Sequence, residues 1–473
     1  MESIIRKKNA AALSRSIKDI IPRLNKDYCE VWGQEYPPPY LIKNAKESET
    51  EKFGSDELRK AIGKPDSFAL YIHFPFCESR CDYCTYYAGG NPGKETFNKY
   101  FSALKKEFDL RFKSSDGVNK KKITCLYLGG GTPTLAGRKN LENLFSFLRK
   151  RTSIDDGTEI TIETTPGLVD SLTAQTIRRC GINRVSIGVQ TFNGNILRSV
   201  GRKQKNAEVY AAVSKLRQKG IKNINLDFIF GLSSKETSAS FLRDNLSHIN
   251  FLRPESVYLY YLQNYAKHPD SIFKSGDQTG ILRSGIEKHN KYTNIFDMGI
   301  IYKPKKRGAC QNRKKYANQY TMFRRVYLSP VMGLGFGATT HIWREGQYSN
   351  CYVDSMNIER YMEEAQRGTL SFRCFSLSRD ESVRKYVIQR LYYGLDLSLI
   401  RRLPGISRTD VEALILPLIG SYVERDKELI YLKKGFERHL PVRINNPVVN
   451  YFIFSFVYLY SLDMQKRFLN HYV

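Results

Sequence analysis

From Ser67 onward the chain alternates between two kinds of segment. Short runs, "SFALYIHF", "ITCLYLGG", "EITIETT", "RVSIGVQ", "NINLDFIFG" and "SVYLYYLQNY", are rich in β-branched and aromatic residues and mostly apolar on both faces. Buried parallel strands read this way. Between them lie segments with one polar face: "KETFNKYFSALKKEFDLRFK", "RKNLENLFSFLRKR", "SLTAQTIRRCG", "AEVYAAVSKLRQKG" and "SFLRDNLSHINFLR". Several end in glycine or a basic residue, as helix C-termini do. Six strands alternating with five helices predict an α/β fold, a wound parallel sheet that is open or partly closed into a (β/α)6 TIM-like barrel. In either form, ligands bind at the C-terminal strand ends.

The flanks differ. Residues 1–66 are polar, charged and punctuated by proline ("QEYPPPYLIKN"), which reads as an N-terminal arm. The barrel and its C-terminal extension are expected over 67–345 and a second domain over 346–473. From Ser376, "RDESVRKYVIQRLYYGLDLSLI", "SRTDVEALILPLIGSYVERD" and "ELIYLKKGFERHL" suggest two helices, a turn and a hairpin, a winged-helix-like module.

Composition narrows the class. The 473 residues carry 41% apolar and 26% charged residues, ordinary for a globular protein. The N-terminus lacks the continuous apolar core of a secretory signal, and "VVNYFIFSFVYLYSL" (448–462) is too short and too polar to span a bilayer. A reducing cytoplasm is the expected compartment, and the nine cysteines are scattered rather than framework-like. The net charge of +28 favours acidic partners such as an anionic carrier protein. Its densest runs, "NKKKI" and "KPKKRGACQNRKK", lack the interleaved aromatics of a nucleic-acid surface, so nucleic acid is not expected.

The candidate chemistry starts at "YIHFPFCESRCDYCTYYAGG", where Cys77, Cys81 and Cys84 follow the first strand. A closed zinc site needs a fourth ligand, and none is obvious. A three-cysteine loop suits a [4Fe–4S] cluster with one iron open to an exogenous ligand. Other notable residues fall at the same strand ends: "GGGTPT" after the second strand, Glu163 and Pro166 at the third, Gln190 at the fourth, and Asp227 and Gly231 at the fifth. Glycines there let backbone groups approach a ligand. Arg202 is suited to clamping a carboxylate in a bidentate pair.

The C-x3-C-x2-C spacing resembles the radical S-adenosylmethionine (SAM) superfamily. "YIHFPFC", "LYLGGGTPTL", "RVSIGVQTFN", "LRSVGR", "INLDFIFGL" and "GLGFGATTH" are similar in order and approximate spacing to the oxygen-independent coproporphyrinogen III oxidase-like family. The resemblance covers residues 67–436, and the family includes oxidases, heme chaperones and two-SAM radical methyltransferases or cyclopropanases. It implies that Cys77, Cys81 and Cys84 hold the cluster. Tyr71, Tyr83, Gly129, Gly130, Gly131, Thr132 and Glu163 would bind the cluster-bound SAM, with Tyr71 and Glu163 as the catalytic pair. Gln190, Arg202 and Asp227 would surround a second SAM. Gly335, Gly337 and Thr339 would close the site. A reductant such as flavodoxin or ferredoxin and a small-molecule substrate, a tetrapyrrole or carrier-bound natural product, are implied partners.

The chain departs from the oxidases at Tyr86, where they carry a fourth cysteine. Its long arm, three-cysteine motif and C-terminal wing resemble the two-SAM methyltransferases. Methylation, cyclopropanation and oxidative decarboxylation are the reactions this implies. The alternative is a heme chaperone that binds and delivers heme without turnover, for which His73, His268 and His341 are the candidate axial ligands.

Overall fold

In the computed structural model, the described residues are 49–62, 67–84, 89–112, 121–233, 239–261, 292–296, 301–304, 330–391, 395–402 and 405–434, with short pieces at 454–455, 459–460 and 463–465. The N-terminal arm up to residue 48, Tyr86 and His268 lie outside them.

The chain enters through β1 (Glu51–Gly54) and α1 (Ser55–Ile62). The predicted alternation then follows: β2 (Ser67–Phe74), α2 (Gly93–Phe112), β3 (Lys121–Gly130), α3 (Gly137–Arg151), a two-residue β4 (Thr152–Ser153), β5 (Glu159–Thr164) and α4 (Ser171–Arg179). It continues with β6 (Arg184–Gln190), a short α5 (Gly194–Ser199), α6 (Asn206–Gln218), β7 (Asn223–Phe230), α7 (Ala239–Leu252) and β8 (Ser256–Tyr261). The strands β2, β3, β5, β6, β7 and β8 pair in parallel in that order. This is the expected (β/α)6 arrangement. Among the described residues its terminal strand β8 pairs in this sheet with β7 alone, so the barrel is partial.

The two faces of these strands differ. Leu70, Ile72, Leu126, Leu128, Ile160, Ile162, Val185, Ile187, Ile224 and Leu226 join one buried apolar core. Residues alternating with them hydrogen-bond across the inner face. Ser186 donates to Asp227 at 2.7 Å, Asn225 donates to Ser186 at 2.8 Å, and Ser256 donates to Asn225 at 2.7 Å. The expectation of strands apolar on both faces is therefore corrected: the inner face is polar. Buried polar groups there satisfy one another, as a low-dielectric interior requires.

Beyond the alternation come a separate two-stranded pair, β9 (Tyr292–Phe296) and β10 (Ile301–Pro304), and then β11 (Val331–Leu334), which joins β2 in parallel. Next, β12 (Thr339–Arg344), β13 (Gln347–Val353) and β14 (Ser371–Ser376) extend the same sheet antiparallel, with α8 (Ile358–Arg367) between β13 and β14 in the chain and β1 outermost in the sheet. The division expected at 345/346 falls inside the β12–β13 hairpin, whose strands pair over six positions. The sheet ends at Ser376, where the sequence changes character. Cys351 and Cys374, opposite each other on β13 and β14, form a disulfide that the scattered cysteines did not predict.

A buried ion pair fastens α2 to this extension. Arg111 meets Glu107 at 2.5 Å and donates to the Gly333 carbonyl and Thr340, while Glu107 accepts from the Gly335 amide and Tyr361. Most of the pair's other polar atoms are thereby met by the β11–β12 segment or α8, although Arg111 Nε keeps no hydrogen-bond partner, and these contacts are what let two charges sit out of water.

The C-terminal part contains α9 (Arg379–Leu391), β15 (Leu395–Asp396), α10 (Arg408–Ile419), β16 (Val423–Asp426) and β17 (Leu429–Leu432). The last strands form a three-stranded sheet ordered β15–β17–β16. Ser407 and Asp410 cap α10 reciprocally. Of the apolar run at 448–462, Phe454, Ser455, Leu459 and Tyr460 are described, and all are buried. No helix among the described residues is long and apolar enough to cross a membrane.

Candidate active site

The three cysteines lie on the loop leaving β2, at the C-terminal end of the sheet. That loop is held at several points by backbone hydrogen bonds. The Cys77 amide donates to Gly89, the Gly89 amide to Pro75, and the Asp82 amide to Val200. A turn from Cys81 to Cys84 is closed by an amide–carbonyl bond of 3.1 Å. Burial pushes the Cys77 thiol up, Cys84 and Cys81 push it further, and a hydrogen bond from Thr132 opposes them. The thiols thus share one electrostatic environment.

No three His, Cys, Asp or Glu side chains among the described residues converge on a single-ion site. The donor set fits an iron–sulfur cluster instead. There are three half-buried thiols, a hydroxyl donor at 3.5 Å from Cys77 Sγ, and a guanidinium N–H at 3.8 Å from Cys81 Sγ. Cluster sulfurs accept such hydrogen bonds.

The glycine loop at the end of β3 is explained by its surroundings. A Cβ on Gly131 would lie 2.3 Å from the Phe76 carbonyl oxygen, and one on Gly130 would lie 2.6 Å from the His73 ring. One on Gly129 would meet Tyr127 at 2.8 Å and Glu163 at 3.1 Å. The amides here are already engaged: Gly131 donates to Phe74, Thr132 to Phe76, and Gly130 to Glu163. The sequence argument expected free backbone groups for a ligand. The structure gives the glycines a different first task, which is to let β3 press against the base of the cysteine loop.

Behind this loop sits Glu163, on β5. Its Oε1 accepts from the Tyr127 hydroxyl at 2.5 Å and its Oε2 from the Gly130 amide at 3.2 Å. Burial, and to a lesser degree the Asp227 carboxylate, push it up to about 7 against the Tyr127 and Gly130 hydrogen bonds. Asp227, two strands away on β7, accepts from Ser186 and Asn225, and burial raises it too. Tyr71 stacks on Tyr127, with centroids 5.9 Å apart, and its hydroxyl meets His73 Nδ1 at 3.0 Å. Tyr71, Tyr127 and Glu163 therefore form one continuous contact series.

Gln190, the last residue of β6, has φ of 65° and sits where the β6–β7 register slips. A non-glycine residue in that region stores strain, and such strain clusters at functional sites. Its side-chain Oε1 is buried with no hydrogen-bond partner. An orphaned acceptor at this rim is the feature a polar ligand would satisfy.

Arg202 follows α5, on a turn in which Gly201 has φ of 71°. Its guanidinium reaches the Gly188 carbonyl, Gln204 Oε1 at 3.0 Å, the Tyr83 hydroxyl at 3.3 Å and Cys81 Sγ at 3.8 Å. The expected carboxylate clamp is thus turned onto the cysteine loop. Burial of Tyr83 raises its hydroxyl strongly, with the Arg202 charge opposing. Gly335 and Gly337 do approach the β2 end, since a Cβ on Gly337 would lie 3.3 Å from the His73 ring. Thr339 lies further out on β12 and pairs with His341 at 3.2 Å.

Sequence reasoning missed Tyr127, Ser186 and Asn225, which orient the two carboxylates. For Asn225 the signal was available as polar residues at every second position of "NINLDF", the alternation that "EITIET" shows around Glu163. It also missed Arg184, fully buried at the start of β6 with its three nitrogens unpaired.

Comparison with known proteins bears on the fold that carries this site. Residues 71–237 match the family described as the Radical SAM superfamily. The heme chaperone HemW of Buchnera aphidicola subsp. Schizaphis graminum is 33% identical over 171 residues, 35% of this chain and 43% of that protein. The oxygen-independent coproporphyrinogen III oxidase of Escherichia coli is 25% identical over 393 residues, 78% of this chain and 82% of the relative. The solved structure of coproporphyrinogen III oxidase (HemN) from Escherichia coli matches with a TM-score of 0.64 at 20% identity, covering 89% of this chain and 99% of that one. The matched stretches span between 43% and 61% of the heme chaperones' own length. Residues 71–237 are thus similar to the radical SAM superfamily, and over most of its length the chain is similar to the oxygen-independent coproporphyrinogen III oxidase-like family.

Proposed function

We propose that the chain is a radical SAM catalyst acting on a tetrapyrrole or carrier-bound natural product, with a second SAM beside the first. Cys77, Cys81 and Cys84 would hold a [4Fe–4S] cluster, which supplies the electron that cleaves SAM to a 5′-deoxyadenosyl radical. Flavodoxin or ferredoxin would deliver that electron, and the +28 charge favours such acidic partners.

The residues then divide the remaining work. Glu163, ionised, accepts from the ammonium or ribose of the first SAM, and Tyr127 fixes the carboxylate for it. Tyr71 packs beside them and limits water at the same strand end. Asp227 and Gln190 face the second SAM, Asp227 through its ribose or ammonium. The single observation that carries this reading is Gln190: a buried carboxamide oxygen without a hydrogen-bond partner, on strained backbone at the end of β6, the strand that lies between those carrying Glu163 and Asp227. Methylation or cyclopropanation is the favoured chemistry, with oxidative decarboxylation next.

The similarity to heme chaperones favours a second reading, heme delivery without turnover. Against it, His73 and His341 are buried and already hydrogen-bonded, to Tyr71 and to Tyr348. Equilibrium SAM binding to anaerobically reconstituted protein tests the proposal. Two sites support it, and a single site removes the second SAM. Heme uptake without formation of 5′-deoxyadenosine replaces it with the chaperone.

A further inference from the structure

We infer that Arg202 is a positioning residue for the cluster: it holds a fixed cationic N–H donor against the Cys81 sulfur and thereby raises the cluster's reduction potential. This inference rests on the reading of Cys77, Cys81 and Cys84 as cluster ligands. It assigns Arg202 a task toward the cluster itself, separate from any SAM.

The geometry has four parts. Arg202 Nη1 lies 3.8 Å from Cys81 Sγ and 3.3 Å from the Tyr83 hydroxyl, so one nitrogen addresses two residues of the cysteine loop. Nη2 donates to the Gly188 carbonyl at the end of β6. Nε donates to Gln204 Oε1 at 3.0 Å, and Gln204 in turn donates to the Val189 carbonyl at 2.9 Å. The guanidinium plane is therefore clamped to β6 on one side and aimed at the loop on the other. A side chain with a free torsion would not present a constant field, whereas this one has no slack.

The approach also depends on Gly188 and Gly201. A Cβ on Gly188 would lie 2.8 Å from Gln190 Nε2 and 3.3 Å from Arg202 Nη2, so a larger residue there pushes Gln190 aside and crowds the guanidinium. The φ of 71° at Gly201 turns the chain back toward the loop, and Asp82 and Val200 join the two segments through a backbone hydrogen bond of 3.2 Å. Loop and turn thus form one unit. A guanidinium stays charged throughout the accessible pH range, so the group brings a permanent cation to the loop.

The physical consequence follows from charge. Reduction adds one negative charge to the cluster, and a cation donating to a ligand sulfur stabilises the reduced form more than the oxidised one. Arg202 therefore makes the cluster easier to reduce. Removing the charge shifts the midpoint to more negative potential.

The test is an anaerobic redox titration of the reconstituted full chain, without SAM, read by electron paramagnetic resonance of the reduced cluster. Arg202→Gln removes the charge. At the parent's midpoint potential its ratio of reduced to oxidised cluster should fall about tenfold, the effect of losing one hydrogen bond to a charged group. Arg202→Lys keeps the charge without the fork and should fall between the two. Gly188→Ala keeps every charge and should shift the midpoint in the same direction by less. Should Arg202→Gln lose iron, the lysine and alanine variants decide. Unchanged midpoints with full iron content overturn the inference, as does a shift that appears only after SAM is added. A parent protein that assembles no cluster overturns the functional reading instead, which separates the two failures.

Discussion

Tyr127→Phe isolates the one hydrogen bond that tunes Glu163. The substitution removes the hydroxyl 2.5 Å from Glu163 Oε1 and leaves the ring that stacks on Tyr71. Glu163 stands at about 7, raised by burial and held down partly by this donor. A hydrogen bond to a charged group contributes about 1.5–3 kcal/mol, and one pKa unit corresponds to about 1.4 kcal/mol. Glu163 is only half-buried, so the lower end applies and its midpoint should rise by about one unit. Ligand ammonium or ribose contacts need the carboxylate. At pH 7.5 the ionised fraction falls from about three quarters to about one quarter, so SAM should bind about threefold more weakly. At pH 9 both proteins are almost fully ionised, and the difference should vanish. Equilibrium SAM binding to reconstituted protein from pH 6 to 9 measures this directly. A binding deficit of equal size at pH 7.5 and pH 9 would refute the reasoning, because a titration effect must fade where both forms are charged.

Other consequences are checked more simply. Gly131→Ala places a methyl 2.3 Å from the Phe76 carbonyl oxygen and disrupts the amide bonds from Gly131 and Thr132 to the loop base. It should lower stability by about 2 kcal/mol in urea melts and halve cluster loading or worse; normal iron content would reject the bracing role. Glu107→Gln leaves the Arg111 charge buried without its counter-ion and should cost about 3 kcal/mol by the same melts. Glu163 also gives a signed pH effect: its folded pKa is raised, so its contribution to stability is complete below the unfolded carboxyl value and is lost as pH rises through about 7. Glu163→Gln should therefore be more stable than the parent at pH 8 and no more stable at pH 4, and the reverse order would contradict the burial argument.

Much of the barrel was legible because its strands and helices announce themselves by period. The runs at Ser67, Glu159 and Arg184 became β2, β5 and β6 with nearly the boundaries their apolar residues suggest. What escaped was the meaning of alternation. Asn223, Asn225 and Asp227 occupy every second place in β7, which marks a polar inner face, yet each residue alone looks like an interruption of an apolar run. Glycine roles were half visible. A glycine-rich strand end signals close approach, but only the packed structure shows that the approaching group is the Phe74–Phe76 backbone. Arg202 shows the limit most clearly. Its chemistry is that of a bidentate clamp, and sequence cannot say whether a sulfur or a carboxylate stands within reach. Nor could spacing foretell Cys351 facing Cys374, since strand register is set by distant packing.

The proposed chemistry requires that Cys77, Cys81 and Cys84 hold one [4Fe–4S] cluster with an iron left open. Iron and sulfide analysis of the anaerobically reconstituted chain, joined to electron paramagnetic resonance before and after SAM, addresses that claim directly. The prediction is about four irons per chain, a reduced-cluster signal that changes when SAM is added, and loss of both in the triple Ala variant. Stoichiometric zinc, or full iron loading that survives replacement of all three cysteines, would contradict it.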